Sequence, residues 1–252
     1  MIKQIIKSGL KAFVSPAIRR RVYDAIGSTL DSSPIPKYNM FRHITILKEL
    51  GFHPPFIVDV GAYAGEWTKK VLDIYPNATY LMVEAQPSKK NNLEKIAQQY
   101  DNVHLEIALL GETEKENIRF FEMETGSSIY EEKTEFKRRE IHLNMCMLDS
   151  IVSKYEVDRD CFLKLDVQGA EIDVLKGAQS FLSSTEFIML EASTLNYNEQ
   201  APLFAEVIQF LYEKGFILFD ICDERRMSNH ILFQIDLIFV RGSSPYRASV
   251  NF

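Results

Sequence analysis

Cysteine is scarce in this chain, and its placement excludes a zinc scaffold. Cys146, Cys161 and Cys222 lie far apart, without the paired spacing that structural zinc sites use. Each sits in an apolar run, which predicts buried free thiols in a reducing compartment. No apolar stretch approaches the ~20 residues needed to cross a bilayer. The opening segment is punctuated by lysines and lacks the uninterrupted apolar core of a signal peptide, so a cytoplasmic location is expected. Positive charge is also short: 29 Lys and Arg stand against 35 Asp and Glu, a net charge of −6. That balance argues against a nucleic-acid partner, whose grip on phosphates comes from lysine and arginine. Internal repeats and low-complexity tracts are missing too. What remains is an ordinary globular composition, 46% hydrophobic and 25% charged over 252 residues. That length suffices for one large domain with a full core, or for a domain with an appendage.

Charge is unevenly distributed. Residues 1–40 carry +5 and the rest −11. Ile2, Ile5, Ile6, Leu10, Phe13, Val14, Ala17 and Ile18 fall on one stripe of a helix, which Pro16 kinks or divides. A basic amphipathic helix suits either an anionic membrane surface or a protein partner, a second subunit included. The protein contact is favoured, because apolar stripes usually meet protein. Residues 31–36 read as a linker, and Phe41, Ile44, Leu47 and Leu50 mark another helix that stops at Gly51. Residues 1–52 are therefore expected to form a helical extension and residues 53–252 the main domain.

From Pro55 the chain alternates. Strands are expected at Phe56–Val60, Thr79–Glu84 and Val103–Leu109, with helices at Glu66–Tyr75 and Lys89–Tyr100. Ile118–Met123 and Glu140–Met147 look like strands around a polar loop, Glu124–Arg139. Alternation resumes with strand Cys161–Val167, helix Ala170–Phe181, strand Glu186–Glu191 and helix Pro202–Lys214. The last two strands, Phe216–Cys222 and Phe233–Val240, are separated only by the turn Asp223–His230, too short for a crossover helix. The fold class is thus α/β: a doubly wound, mostly parallel sheet closed by a C-terminal antiparallel hairpin, with N-terminal helices.

The first chemical signal follows the first strand. In Phe56-Ile57-Val58-Asp59-Val60-Gly61-Ala62-Tyr63-Ala64-Gly65, a strand turns into a helix at the end of the sheet where open α/β folds bind ligands. Gly61 and Gly65 allow close backbone approach. Asp59 suits a cationic cofactor such as S-adenosylmethionine better than a pyrophosphate. The Gly-x-x-x-Gly spacing also departs from the nicotinamide fingerprint. Glu84 ends the second strand about 20 residues later, where nucleotide-binding folds place the acid that holds ribose hydroxyls. Asp59 and Glu84 are thus expected to hold opposite ends of a positively charged nucleoside.

The second signal is Leu163-Lys164-Leu165-Asp166-Val167-Gln168-Gly169-Ala170-Glu171. Lys164 and Asp166 share one face of a strand suited to burial, and such charges must pair with each other or with ligands. Glu171 opens the next helix and Glu191 ends the next strand.

With these motifs the chain, from about Phe56 to Val240, resembles the FkbM-type methyltransferases. The motifs that carry the resemblance are Val58–Ala62 with Gly65, Val83–Pro87, Ala108-Leu109, Gly126-Ser127-Ser128, Met147–Ser150 and Leu163–Glu171. The resemblance implies a Rossmann-like class I fold and O-methylation of a sugar, glycan or natural-product hydroxyl. It also implies an S-adenosylmethionine site built from Asp59, Gly61, Ala62, Tyr63, Gly65, Glu84, Ala85, Gln86, Ala108 and Ser128. The family usually carries Asn where this chain has Tyr63 and often Thr where it has Met147.

The expected catalytic residues are Asp166 as base or substrate orienter, Lys164 steadying a developing alkoxide, and Glu191 as a second base. His142 and His230 are read as structural. Asp149, Asp166 and Glu191 could offer oxygen ligands to a divalent metal, but no metal ligand is assigned. Two competing readings are a cofactor-binding module without catalysis and, less favoured, a nicotinamide-dependent oxidoreductase. Buried charges at Lys164 and Asp166 speak against the first, and Asp59 with the glycine spacing against the second.

Overall fold

The computed structural model describes residues 39–131, 137–196 and 198–247. The basic amphipathic helix and the linker expected within residues 1–38 lie outside these, as does part of the polar loop 124–139.

Asn39 caps the first described helix, α1 (Met40–Glu49), by accepting the Phe41 N–H at 3.1 Å. Helical spacing turns His43, Ile44 and Leu47 inward. Ile44 and Leu47 share a core cluster with Ile57 and Phe162 of the central sheet. This part of the sequence-assigned extension is therefore built into the main core.

Strand β1 (Phe56–Val60) is buried along its whole length, as a central strand covered on both faces must be. Helix α2 (Glu66–Ile74), β2 (Thr79–Glu84), α3 (Lys90–Gln99) and β3 (Val103–Ile107) follow. The single strand expected at Val103–Leu109 divides at Ala108. Its N–H donates to the carbonyl of Glu84, the last residue of β2. With no strand left to pair, the chain leaves the sheet. β4 (Leu109–Leu110), β5 (Lys115–Glu122) and β6 (Arg139–Cys146) form a separate small sheet in the order β4-β6-β5.

Helix α4 (Leu148–Val152) and β7 (Cys161–Leu165) return to the main sheet. The helix expected over Ala170–Phe181 is two, α5 (Glu171–Lys176) and α6 (Gln179–Ser184). Gly177 separates them: a Cβ there would stand 2.1 Å from the Gly111 carbonyl oxygen. The chain bends where another backbone passes, and Asp149 caps the new helix start by accepting the Ser180 and Phe181 N–H groups. β8 (Thr185–Ser193), α7 (Phe204–Glu213), β9 (Phe216–Arg226) and β10 (Leu232–Arg241) complete the fold.

The main sheet runs β3-β2-β1-β7-β8-β10-β9, with parallel pairs throughout except β10, which is antiparallel to both neighbours. This is the expected doubly wound sheet with its closing hairpin. The hairpin turn is shorter than expected because β9 continues to Arg226, its polar end paired through the backbone to Leu232–Asp236. Alternation along the strands sends Val58, Leu81 and Leu163 to one core cluster and Ile57, Tyr80 and Phe162 to the other. Cys161 and Cys222 are buried as expected, whereas Cys146 is only partly so.

Candidate active site

Strand order reverses between β1 and β7, and the carboxyl ends of the strands there open into two adjoining cavities. Gly61, at φ +72°, makes the junction: a Cβ on it would stand 1.9 Å from the Asp166 carbonyl oxygen. Only glycine lets the loop after β1 lie against the end of β7. Gly65, at φ +76°, instead packs under Leu93 and Ile96 of α3 and lines neither cavity.

The first cavity has a volume of about 390 Å³. Glu84 enters it from the end of β2, with its carboxylate fixed from behind. The Tyr63 N–H donates to Oε2 at 2.7 Å and the Gln86 N–H to Oε1 at 2.8 Å. Burial pushes the Glu84 carboxyl up from the usual range, and these two donors oppose the rise. Ala85, Gln86, Ala108 and Ser128 line the same cavity, as do Gly61 and Tyr63. Val83, Leu109, Leu110 and Phe120 make an apolar wall. Tyr63 and Lys89 both reach Glu124 on the loop after β5, at 2.5 and 2.7 Å, which ties that loop to the cavity edge.

Asp59 is 1% exposed and lines neither cavity. One oxygen accepts the Thr68 hydroxyl at 2.6 Å and the other the Lys164 ammonium at 2.8 Å. The carboxylate expected to face a cationic cofactor is therefore committed to lysine, and its charge reaches the site through Lys164. Lys164, expected to pair with Asp166 or with a ligand, takes Asp59 in place of either. Asp59 and Lys164 are cross-strand partners of β1 and β7, and Lys164 also donates to the Gly61 carbonyl at 3.0 Å. Burial works against the Lys164 ammonium, but Asp59, Asp166 and Glu84 hold its pKa above the ordinary lysine value.

The second cavity, about 280 Å³, shares Gly61, Tyr63 and Asp166 with the first. Lys164, Glu191 and Asp236 line it along the sheet, Ala62 joins them, and Met40, Phe41, Trp67 and Met189 form apolar walls. Asp166 thus stands where the cavities meet.

The turn that carries Asp166 is held from several sides. Gln168 adopts φ +51° and Gly169 φ +104°. The Glu171 carboxylate accepts the Val167 and Gly169 N–H groups, at 3.3 and 3.2 Å. Ser128 Oγ and Asn198 Nδ2 both donate to the Gln168 carbonyl at 2.9 Å. So held, Gln168 Nε2 donates to Asp166 at 2.8 Å and to Glu191 at 3.1 Å. Glu191 also accepts Gln234 Nε2 at 2.5 Å and pairs with Arg225 at 3.4 Å. Burial, followed by the nearby Asp166, raises the Glu191 carboxyl well above its usual value. Burial raises Glu171 to about 7.

The structure therefore gathers Lys164, Asp166 and Glu191 at one cavity and the ligands expected around Glu84 at its neighbour. It keeps Asp59 and Gly65 behind the walls. Asp149 is spent as the cap of α6, and His142 and His230 line neither cavity. Among the described residues no three His, Cys, Asp or Glu side chains are grouped to hold a metal ion. Sequence reasoning missed Asp236, Gln234, Arg225 and Trp67. Phe233-Gln234-Ile235-Asp236-Leu237 carried the needed signal, polar residues alternating in a buried strand. Arg225, in a stretch read as a turn, carried none.

The model of the methyltransferase FkbM domain matches residues 59–218 of the chain. No protein of curated function matches it by sequence. Among solved structures, an FkbM methyltransferase from Methylobacillus flagellatus KT superposes with a TM-score of 0.49 at 15% identity. That match covers 74% of this chain and 43% of the other, so the chain spans less than half of that protein's length. The precorrin-6y C5,15-methyltransferase of Geobacter metallireducens GS-15 gives 0.46 at 12% identity, covering 85% and 97%. Magnesium protoporphyrin IX methyltransferase of Synechocystis PCC 6803, solved with bound SAM, gives 0.46 at 9%, covering 92% and 87%.

Proposed function

The chain belongs to the FkbM methyltransferase domain family, and from that premise we propose that it moves a methyl group from S-adenosylmethionine to a hydroxyl of a sugar, glycan or natural-product acceptor. The observation that carries this reading is the pair of cavities that meet at Asp166. Two reactants held on either side of one carboxylate are what a transfer reaction needs.

The donor set of the first cavity fits the cofactor. Glu84, its back fixed by two N–H groups, keeps lone pairs for ribose hydroxyls, and the apolar wall of Val83, Leu109 and Phe120 suits an adenine ring. Gly61, Tyr63, Ala85, Gln86, Ala108 and Ser128 complete that wall, with Ala62 next door. Asp59 and Gly65 act from behind, one by holding Lys164 and the other by letting α2 start against α3. Bound there, S-adenosylmethionine supplies a methyl already activated by its sulfonium. What the chain adds is alignment and proton removal.

Asp166 takes the proton of the acceptor hydroxyl. Gln168 fixes one of its oxygens and leaves the other for the substrate. Lys164, whose ammonium donates to Asp59 and to the Val60 and Gly61 carbonyls, steadies the charge that develops on the acceptor oxygen through space, and Glu191 stands as a second base.

Asp166→Asn is expected to lower kcat by about 10²–10⁴-fold with cofactor affinity within about threefold of wild type. Methyl transfer to a panel of hydroxyl acceptors, followed by mass spectrometry, measures the first quantity. Calorimetric titration with S-adenosylmethionine measures the second, and NAD serves as the negative control. Wild-type turnover by the variant removes Asp166 from the chemistry, and binding of NAD in place of S-adenosylmethionine removes the whole reading.

A further inference from the structure

Taking the second cavity as the acceptor site, as proposed above, we propose that it selects a hydroxyl acceptor that also carries a protonated amine, an amino sugar or amino-polyol, with Asp236 as the partner of the ammonium. The argument starts from charge. Asp166 just past the end of β7, Glu191 on β8 and Asp236 on β10 line this cavity, and Asp236 stands directly opposite Glu191 in the β8–β10 register. The cations nearby are already engaged. Lys164 is held by Asp59, Arg225 pairs with Glu191, and Lys70 lies over the Phe41 ring at 4.6 Å.

Asp236 is 8% exposed, and among the described residues its carboxylate meets no hydrogen-bond donor in contact, only the more distant charges of Arg225 and Lys164. Glu191, by contrast, has Gln168, Gln234 and Arg225. A carboxylate taken out of water without a partner is unfavourable unless a ligand supplies one. Burial first, and then the neighbouring Asp166, push Asp236 up to about 6. At neutral pH it is therefore already largely ionised, and Arg225 and Lys164 oppose the rise without touching it.

A second observation is independent of the acids. The Trp67 indole lines the same cavity, and its buried Nε1–H has no hydrogen-bond partner. A buried donor without a partner costs free energy that a ligand oxygen reaching it would offset. Trp67 and Phe41 line the apolar side of the cavity, with Lys164 over the indole at 5.8 Å and Lys70 over the Phe41 ring, while the sheet side presents acceptors. At about 280 Å³ the cavity lies at the lower end of small-molecule sites, enough for one ring of the acceptor. One oxygen acceptor, one apolar face and one cation describe an amino-polyol better than a neutral polyol or a hydrocarbon.

The test uses the full chain loaded with S-adenosylhomocysteine, which lacks the sulfonium charge. Glucosamine and a 2-deoxystreptamine aminoglycoside are each titrated against their N-acetylated forms. At least one amine is expected to bind about tenfold or more tightly than its N-acetylated form, the worth of one charge-assisted contact in a desolvated site. Asp236→Asn is expected to erase that preference and leave the affinity for the N-acetylated form within about twofold. Trp67→Phe is expected to weaken both forms alike without changing their ratio. Equal binding of amine and N-acetylated form by the wild type, an unchanged preference in Asp236→Asn, or no binding of any probe overturns the proposal. If S-adenosylhomocysteine binds and a neutral acceptor is methylated while amines show no advantage, only the amine selectivity falls. If the cofactor does not bind, the acceptor-site reading falls with it.

Discussion

An ammonium enclosed by protein needs a carboxylate within reach, and Lys164 takes Asp59 at 2.8 Å. Both residues are legible in the sequence, because each is a charge inside an apolar strand. Their pairing is not, since 105 residues separate them. Spacing two apart offered Lys164 either Asp166 or a ligand as partner, whereas the β1–β7 register supplied Asp59. Removing one member of a buried ion pair strands the other. Asp59→Asn is accordingly expected to destabilise the fold by about 3–5 kcal/mol. Asp59→Leu combined with Lys164→Met should recover more than half of that loss, as measured by chemical denaturation. A double variant as unstable as the single one would show that Asp59 matters for some other contact. Glu84 differs: it ends the second strand as the sequence places it, lines the first cavity and accepts the Tyr63 and Gln86 N–H groups.

At the scale of elements, the turns after β1 and β7 form the site together. They touch where Gly61 meets the Asp166 backbone at a distance that leaves no room for a methyl group. Gly61→Ala adds both a strained positive φ and this clash, so about 2–4 kcal/mol of stability should be lost. Cofactor affinity should fall along with it, because the same loop bears Tyr63. Denaturation midpoints and calorimetry check the two effects, and retention of both would deny the contact. Most strands and helices could be placed from apolar periodicity. The errors share one cause. The break at Gly177, the early end of β3 and the long β9 each depend on a neighbouring backbone from a distant part of the chain, which local pattern cannot express.

For the whole molecule, several acids are buried at one end of a sheet, and stability must respond to pH. Glu171 ionises near 4.5 when unfolded but holds its proton to about pH 7 when folded. Between those values the folded chain binds the extra proton, so its stabilising effect is complete below about pH 4.5 and fades as pH rises through 7. Asp236, raised to about 6, adds the same sign. Wild type should therefore lose stability relative to Glu171→Gln between pH 5 and 7.5, by up to about 3 kcal/mol. Urea denaturation across that range measures it, and parallel pH profiles would exclude the effect. Ligand linkage acts on the same global equilibrium. S-adenosylmethionine at a hundred times its Kd should add about 2.7 kcal/mol and raise Tm by about 5–10 °C. Glu84→Gln, which weakens the ribose contact, should need about tenfold or more cofactor for the same shift. A Tm that ignores the cofactor would contradict the first cavity's assignment.

The sequence by itself determined the architecture and most of the residues that line the first cavity. Strand and helix periods, the glycine turn and the acid at the end of the second strand are local properties, each set within a few residues of chain. Only the tertiary structure decided which charges face ligand and which face one another. It turned Asp59 inward to Lys164, brought Asp236 and Trp67 to the cavity that Asp166 also lines, and set two cavities side by side. Those outcomes depend on register between strands far apart in the chain, where burial forces every charge to find whichever partner the packing brings near.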